Sequence, residues 1–246
     1  MDKSVFIAMT GASQNMAATA IHANNLANIS TTGFKQDLEQ ARAMPVFGGH
    51  FPSRVYAMTE RPATDTRTGS LQETGRDLDV AINGQGWLVV QAPDGSEAYS
   101  RSGELNIDTS GMLRTGTGLP VLGNGGPIAI PPAESITIGI DGSITIRPLG
   151  SGAQELAQID RIRLVNPENS NLVKGTDGLM RTRDGAIAVP DAQVRLESGF
   201  LEGSNVNAVE ALTSIIGLSR QFELQVKLMH DAEENSAAVA RLLQFS

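Results

Sequence analysis

The sequence has no cysteine, which excludes disulfides, thiolate metal centres and a cysteine nucleophile. Its three histidines, His22, His50 and His230, fall in neither HxxxH nor HExxH spacing, so no metal site and no cofactor is expected. Positive charge is scarce. The chain carries 19 Lys and Arg against 27 Asp and Glu, a formal charge of −8, without the basic run that follows a nucleic-acid backbone, so no nucleic-acid partner is expected. Apolar runs stay short of the roughly 18 residues that a bilayer span needs. Residues 1–20 lack the basic region, apolar block and small-residue cleavage site of a secretory leader, so no cleavable signal peptide is expected. Aromatics are also few, one Trp, two Tyr and seven Phe among 246 residues, against 26 Gly and 11 Pro. That balance, with many Thr and Ile, points to short strands and turns in the middle of the chain.

Regular patterning is concentrated at the two ends. From Ala208, steps of four and three lead through Leu212, Ile215, Ser219, Phe222, Val226, Met229, Glu233, Ser236 and Ala240 to Leu243, the alternation of a heptad seam. Val209, Ile216, Leu224, Leu228, Val239 and Leu242 widen the apolar face, so a helix here needs neighbours on more than one side. Asn207 and Glu210 are spaced as a capping box, with Val206 placed to pack on the first turn. At 1.5 Å per residue the helix is a rod of roughly 50 Å. At the other end, Asp2 to Asn28 is free of proline and sets Phe6, Met9, Ser13, Met16, Ala20, Ala23 and Ala27 at the same spacing, which predicts a second helix whose small residues admit another backbone closely. It stops at Ser30-Thr31-Thr32-Gly33.

Between Ala41 and Gly75 the periodicity is lost, and the segment reads as an extended connector with a hairpin or two, Arg54 to Thr59 being one alternating piece. Short apolar runs then follow at Trp87–Gln91, Ala98–Arg101, Met112–Thr115, Ile128–Ile130, Ile136–Ile140, Ser143–Arg147, Ile159–Val165, Gly178–Thr182 and Ala186–Val189. Asp94-Gly95, Asp141-Gly142 and Asp184-Gly185 are hairpin signals between them. No helical stretch is available for a parallel crossover. The expected fold is α+β: long N- and C-terminal helices packed together in a coiled-coil-like core, with an extended connector and an inserted all-β middle domain. Its parts are 1–35, 36–74, 75–200 and 201–246.

Catalytic signals are weak. Asp77 and Asp79 would share a face of a strand, as paired acids do, but the pair reads more simply as a solvated start to the strand. Gly123-Asn124-Gly125-Gly126 is followed by prolines where a phosphate cradle needs a helix N-terminus, so it reads as a turn. Met9, Met16, Met44, Met58 and Met229 read as adaptable packing. No enzymatic activity is expected. Two terminal helices bracketing a β insert describe an assembly subunit. The competing reading is a secreted wall- or carbohydrate-binding, or glycan-hydrolysing, β domain with helical oligomerisation arms.

Three blocks carry a resemblance. They are NNLANISTTGFK at Asn24–Lys35, GSLQETGRDLDVAINGQGWLVVQAPDGSEAYSRSGEL at Gly69–Leu105, and LEGSNVN at Leu201–Asn207 followed by RQFE at Arg220–Glu223. Together they resemble the rod and hook axial protein family of the bacterial flagellum, and the MTGAS, STTGF and LVNP variants at Met9, Ser30 and Leu164 resemble its proximal-rod members more than distal-rod or hook ones. The resemblance implies a structural subunit of the proximal rod in the flagellar basal body, crossing the periplasm and transmitting motor torque. It implies partners in copies of itself, other proximal and distal rod proteins, and the flagellar type III export apparatus. Carried residue by residue, it places the assembly interface at Asn24, Asn25, Leu26, Asn28, Thr32, Gly33 and Phe34, and at Ser204, Asn205, Val206 and Asn207. The heptad seam adds Leu212, Ile215, Phe222, Val226, Met229 and Leu243.

Overall fold

The computed structural model describes residues 3–45, 55–60, 63–150 and 156–244. Two long helices stand at the ends, α1 at Lys3–Ala27 and α2 at Ala208–Gln244, and the strands lie between them, so the fold is α+β with a β-rich middle. Among the described residues no helix is long and apolar enough to cross a membrane. The chain divides into two compact units, one of Met1–Asn28, Asp37–Asp65 and Val206–Ser246, the other of Ile29–Gln36 and Thr66–Asn205.

In the helical unit α1 packs along α2. The Asn207 side-chain oxygen accepts the amides of Val209 and Glu210 at 3.0 and 3.4 Å, satisfying two donors that the first turn leaves without partners. Val206 is buried at the start of α2. Strands Gln40–Pro45 and Val55–Glu60 pair antiparallel from Gln40↔Glu60 to Pro45↔Val55, the hairpin expected in the connector. This ribbon is held by α1, whose Gln14 accepts the Thr59 amide through its side chain at 2.7 Å and the Thr59 hydroxyl through its carbonyl at 3.2 Å.

The β-rich unit is built around Trp87–Gln91, the second strand of an antiparallel five-stranded sheet ordered Leu164–Val165, Trp87–Gln91, Glu97–Ser100, Met180–Thr182, Leu172–Lys174. Leu88 joins the larger core with Leu105, Leu113, Ile128, Ile144 and Ile162, while Trp87 and Val89 join a second with Tyr99, Leu122, Val165 and Met180. Burial on both faces is why this strand reads as an unbroken apolar run and not as an alternation. A three-stranded sheet of Ala133–Ile138, Ser143–Pro148 and Ala157–Arg161 adds Ile138, Ile144 and Ile146 to the larger core. Its hairpin turns at Asp141-Gly142, with Gly142 at φ +84 and the Asp141 carboxylate accepting both the amide and the hydroxyl of Ser143.

The structure departs from the sequence reading at three strands. Ile128–Ile130 forms no strand, and Ala129 makes an isolated bridge to Met112. The run Ile159–Val165 is broken into Ala157–Arg161 and Leu164–Val165, in different sheets, because the amides of Ile162 and Arg163 turn to the carbonyls of Gly142 and Leu122 at 2.8 and 3.0 Å. Ala186–Val189 follows a turn at Asp184-Gly185 as expected but belongs to no strand. Side chains hold it instead: the Thr182 hydroxyl donates to the Ala186 carbonyl at 2.6 Å, and the Ala188 amide donates to the Tyr99 hydroxyl at 3.0 Å. Other strands escape sequence reading because they are short and find partners far away, as Arg195–Ser198 does with Val80–Asn83 and Phe200–Glu202 with Leu71–Glu73.

Candidate functional site

The asparagines of the N-terminal block work inside the helical unit. Asn25 is buried, and its side-chain amide donates to the Asp37 carbonyl at 2.8 Å while its oxygen accepts the Asp37 amide at 2.9 Å. One side chain thus satisfies both backbone groups of a residue twelve positions on, as a paired strand would. Asn24 is exposed, and its carbonyl accepts the Asn28 amide and side chain at 3.2 and 2.9 Å. Leu26 and Asn28 are half-buried.

The rest of that block meets the C-terminal block within the β-rich unit. Gly33 adopts φ +69 and donates its amide to the Glu202 carbonyl at 2.7 Å, and a Cβ there would fall 2.2 Å from the carbonyl carbon of Arg101. Both the left-handed backbone and the close approach require glycine. The Phe34 carbonyl accepts the Asn205 amide at 3.3 Å. Asn205 accepts from the Gln36 amide at 2.8 Å and donates to the Arg67 carbonyl at 3.1 Å. The hydroxyls of Thr32 and Ser102 lie 3.3 Å apart, and Ser204 is half-buried.

A buried ion cluster holds these segments together. Glu202 takes Lys35 Nζ on one carboxylate oxygen at 2.6 Å and an Arg101 guanidinium nitrogen on the other at 2.7 Å, with side-chain exposures of 0, 2 and 2%. The Gly69 amide adds a 2.9 Å bond to the first oxygen, Lys35 donates to the Arg67 carbonyl at 2.7 Å, and Arg101 donates to the Gly84 carbonyl at 2.7 Å. Arg101 stands 5.4 Å from the centre of the Trp87 ring. Lys174 donates to the Lys35 carbonyl at 2.7 Å and stands 3.8 Å from the centre of the Phe34 ring. Burial is the largest influence on Glu202 and pushes its pKa up. The charges of Arg101 and Lys35 with their hydrogen bonds outweigh it and hold the carboxyl below the ordinary glutamate range. The anion is therefore kept by its two cations. The three sequence blocks contain Lys35, Arg101 and Glu202 without a role assigned to their charges, and Lys174 lies outside them. The available signal was a charged residue inside each otherwise polar or apolar block.

The two helices pair through faces different from those read from sequence. On α1, Ala8, Ala12, Ala18 and Asn25 are buried and Val5, Thr10, Gly11, Gln14, Asn15, Thr19, Ile21, His22 and Leu26 half-buried, whereas the Phe6, Met9, Ser13, Met16, Ala20, Ala23, Ala27 stripe is exposed throughout. In α2, Ile215, Phe222 and Met229 are half-buried, and Ala211, Leu218, Gln225 and Ala232 alternate with them in place of Leu212, Ser219, Val226 and Glu233. In α2 each difference is one residue, about 100° of helix rotation, and in α1 the buried positions lie one or two residues from the stripe. The physical reason is size. Ala8, Gly11, Ala12 and Ala18 let α2 come near enough that the Gln225 amide lies 2.9 Å from where a Cβ on Gly11 would be, so on α1 the small residues take the seam and α2 supplies its larger side chains. Phe6, Met9 and Met16 of α1 remain outside it, Met16 at 62% exposure, as does Leu212 of α2 at 47%. Val226 is exposed with Val209, Ile216, Leu224 and Leu228. Asn207 is exposed at the helix start, and Leu243 lies in α2 with its side chain outside the described residues.

Asp77 and Asp79 do not form an acid pair: Asp77 is exposed, and Asp79 is buried against Arg76, which donates to it through two nitrogens at 2.9 and 2.5 Å. Gly123–Gly126 is a hairpin turn between Leu122–Gly123 and Gly126–Pro127. His230 is exposed, 3.4 Å from Glu234, and His50 lies outside the described residues. No cluster of metal-ligating side chains occurs among the described residues.

Residues 7–35 match the family described as flagella basal body rod protein, 81–146 the flagellar hook protein FlgE/F/G D1 domain, and 197–242 the flagellar basal body rod FlgEFG protein C-terminal region. These spans hold the two blocks that meet at Glu202. The chain is 40% identical over 252 residues to the flagellar basal-body rod protein FlgF of Salmonella typhimurium strain LT2 and 41% identical over 253 residues to that of Escherichia coli strain K12, covering 100% of each chain in both cases. The chain belongs to the flagellar basal-body rod protein FlgF family. FlgG of Agrobacterium fabrum is a more distant relative, 33% identical over 266 residues, covering 98% of this chain and all of that one. Membership in the FlgF family makes the chain a structural subunit of the flagellar basal-body rod, a motility protein located in the basal body. The reading as a secreted glycan-binding domain finds no support among these relatives.

Proposed function

We propose that this subunit belongs to the proximal part of the rod, assembles helically with copies of itself and with other proximal and distal rod proteins, and passes motor torque through the periplasm. Residues 1–35 and 201–246 supply the axial core in this reading, and 36–74 and 75–200 the connector and β domain attached to it. The observation that carries it is the pair of apolar stripes that remain outside the seam between α1 and α2. The α1 stripe is Phe6, Met9 and Met16 and the α2 stripe is Leu212 and Val226, with Leu224 and Leu228 on another face of α2; all are exposed, each set at spacings suited to a further helix packed coiled-coil fashion. Ile215, Phe222 and Met229 serve the seam within the chain. Asn24, Asn25, Leu26, Asn28, Thr32, Gly33, Phe34, Ser204, Asn205, Asn207 and Leu243 complete the assembly interface in this reading. The subunit is non-catalytic and leaves the cell through the flagellar type III export apparatus.

Met16→Asp and Leu224→Asp test the interface. Both positions are exposed, so the purified chain is expected to melt within about 0.5 kcal/mol of the parent. In a dry helix contact an unpaired carboxylate costs several kcal/mol, repeated at each equivalent contact. Basal bodies isolated from cells carrying either variant are expected to lack it, with loss of swimming. Normal incorporation and swimming of both variants would overturn the proposed interface.

A further inference from the structure

The sequence holds two Asn-Gly pairs, Asn83-Gly84 and Asn124-Gly125. In such a pair the glycine amide can attack the asparagine side chain with no Cβ in its way. The fold gives the two pairs different surroundings. Asn124 and Gly125 are the two turn residues between Leu122–Gly123 and Gly126–Pro127. Both are exposed, and a Cβ on Gly125 would meet nothing within 4 Å. Among the described residues no hydrogen bond engages the Asn124 side chain or the Gly125 amide. Electrophile and nucleophile are therefore adjacent, hydrated and unrestrained.

Exposure does not separate the pairs, since Asn83 and Gly84 are also open to water. Restraint does. Asn83 ends the strand Val80–Asn83, where it pairs with Arg195, and its side-chain nitrogen donates to the Glu197 carboxylate at 2.6 Å. The Gly84 carbonyl accepts Arg101 at 2.7 Å, and the same guanidinium is held by Glu202 in the buried ion cluster. Asn83 must leave its strand and release its side chain before its own glycine amide can reach it.

We propose that Asn124 is a site of spontaneous deamidation, converted to aspartyl and isoaspartyl links to Gly125 while Asn83 is spared. The Gly125 nitrogen gives its proton to solvent and bonds to Cγ of Asn124. The Cγ–Nδ2 bond then breaks, and the nitrogen leaves as ammonia with a proton taken from solvent. A five-membered imide remains, and water, the one co-reactant, opens it at either carbonyl. Opening at Cγ leaves aspartate at 124 on the ordinary main chain. Opening at the main-chain carbonyl leaves Gly125 joined through Cγ, which lengthens the backbone by one carbon inside a turn whose span is fixed by the Gly123↔Gly126 and Leu122↔Pro127 pairs. Either product adds a carboxylate to a hairpin that the Asp160 carboxylate already borders at Gly123. This goes beyond rod membership and does not depend on it.

The test ages the full chain at neutral pH and physiological temperature, digests it, and follows both Asn-Gly peptides by mass spectrometry with chromatographic separation of isomers. The peptide carrying Asn124 is expected to gain one mass unit and to split into two products. The Asn83 peptide is expected to lag by about tenfold or more, because it reacts only while its strand end is open. In urea, where both restraints are gone, the two rates are expected to converge. Glu197→Ala, which frees the Asn83 side chain, is expected to raise the rate at Asn83 by about threefold or more and to leave Asn124 unchanged. The proposal is overturned if Asn124 stays unmodified, if Asn83 keeps pace with it in the folded chain, or if Glu197→Ala leaves Asn83 unaffected. A gap that persists in urea would assign the selectivity to the neighbouring residues and would equally overturn it.

Discussion

Replacing Glu202 by alanine removes the carboxylate that bridges Lys35 and Arg101, two cations whose side chains are 2% exposed. Neither cation can reach water without breaking the backbone bonds to Arg67 and Gly84 that orient it. Leaving a buried partner uncompensated costs about 3 to 5 kcal/mol, a large share of the roughly 5 to 15 kcal/mol that holds a domain folded. At about 2 to 4 °C per kcal/mol for a unit of this size, the expected fall in Tm is about 6 to 20 °C. The chain has one tryptophan, Trp87, in the β-rich unit beside Arg101, so its fluorescence follows the unfolding of that unit without a contribution from the helices. Glu202→Gln keeps acceptor capacity on one oxygen and removes the charge, and is expected to melt between the parent and the alanine variant. A shift below about 2 °C for Glu202→Ala would refute the reasoning, since it would mean that the two cations are hydrated or paired elsewhere once the carboxylate is gone.

Two further outcomes follow from the same region. Gly33→Val meets the Arg101 backbone and forces a β-branched residue to φ +69, so it is expected to destabilise the β-rich unit by about 2 kcal/mol or more, read in the same fluorescence melt. An unchanged melt would show that the turn relaxes freely. For pH, the folded pKa of Glu202 lies below its ordinary 4.5, so the stability it contributes is fully present above that value and is lost as pH falls through the lower folded value. Acid unfolding followed at Trp87 is expected to be shallower in Glu202→Gln than in the parent, and identical slopes would remove Glu202 from the acid transition.

Sequence alone determined what local pattern and composition can encode. The lengths of α1 and α2 follow from proline-free heptad runs, the cap from Asn207, and the turns from Asp94-Gly95 and Asp141-Gly142, each a property of a few adjacent residues. The resemblance of the blocks at Asn24–Lys35, Gly69–Leu105 and Leu201–Asn207 carried the family. Which helix faces meet was decided by tertiary structure, because periodicity marks the stripe with the largest apolar residues whereas close approach of two backbones selects the smallest. That is why Ala8, Ala12 and Ala18 lie in the seam and Phe6, Met9 and Met16 do not. Tertiary structure also decided that Lys35 and Glu202, 167 residues apart, share a buried ion cluster with Arg101, since charge pairing across that separation leaves no local signature. Ala186–Val189 shows the same limit from the other side: its residues favour a strand, but a strand is a relation between two segments, and beside this one the pairing stops at a single bridge between Pro190 and Val165.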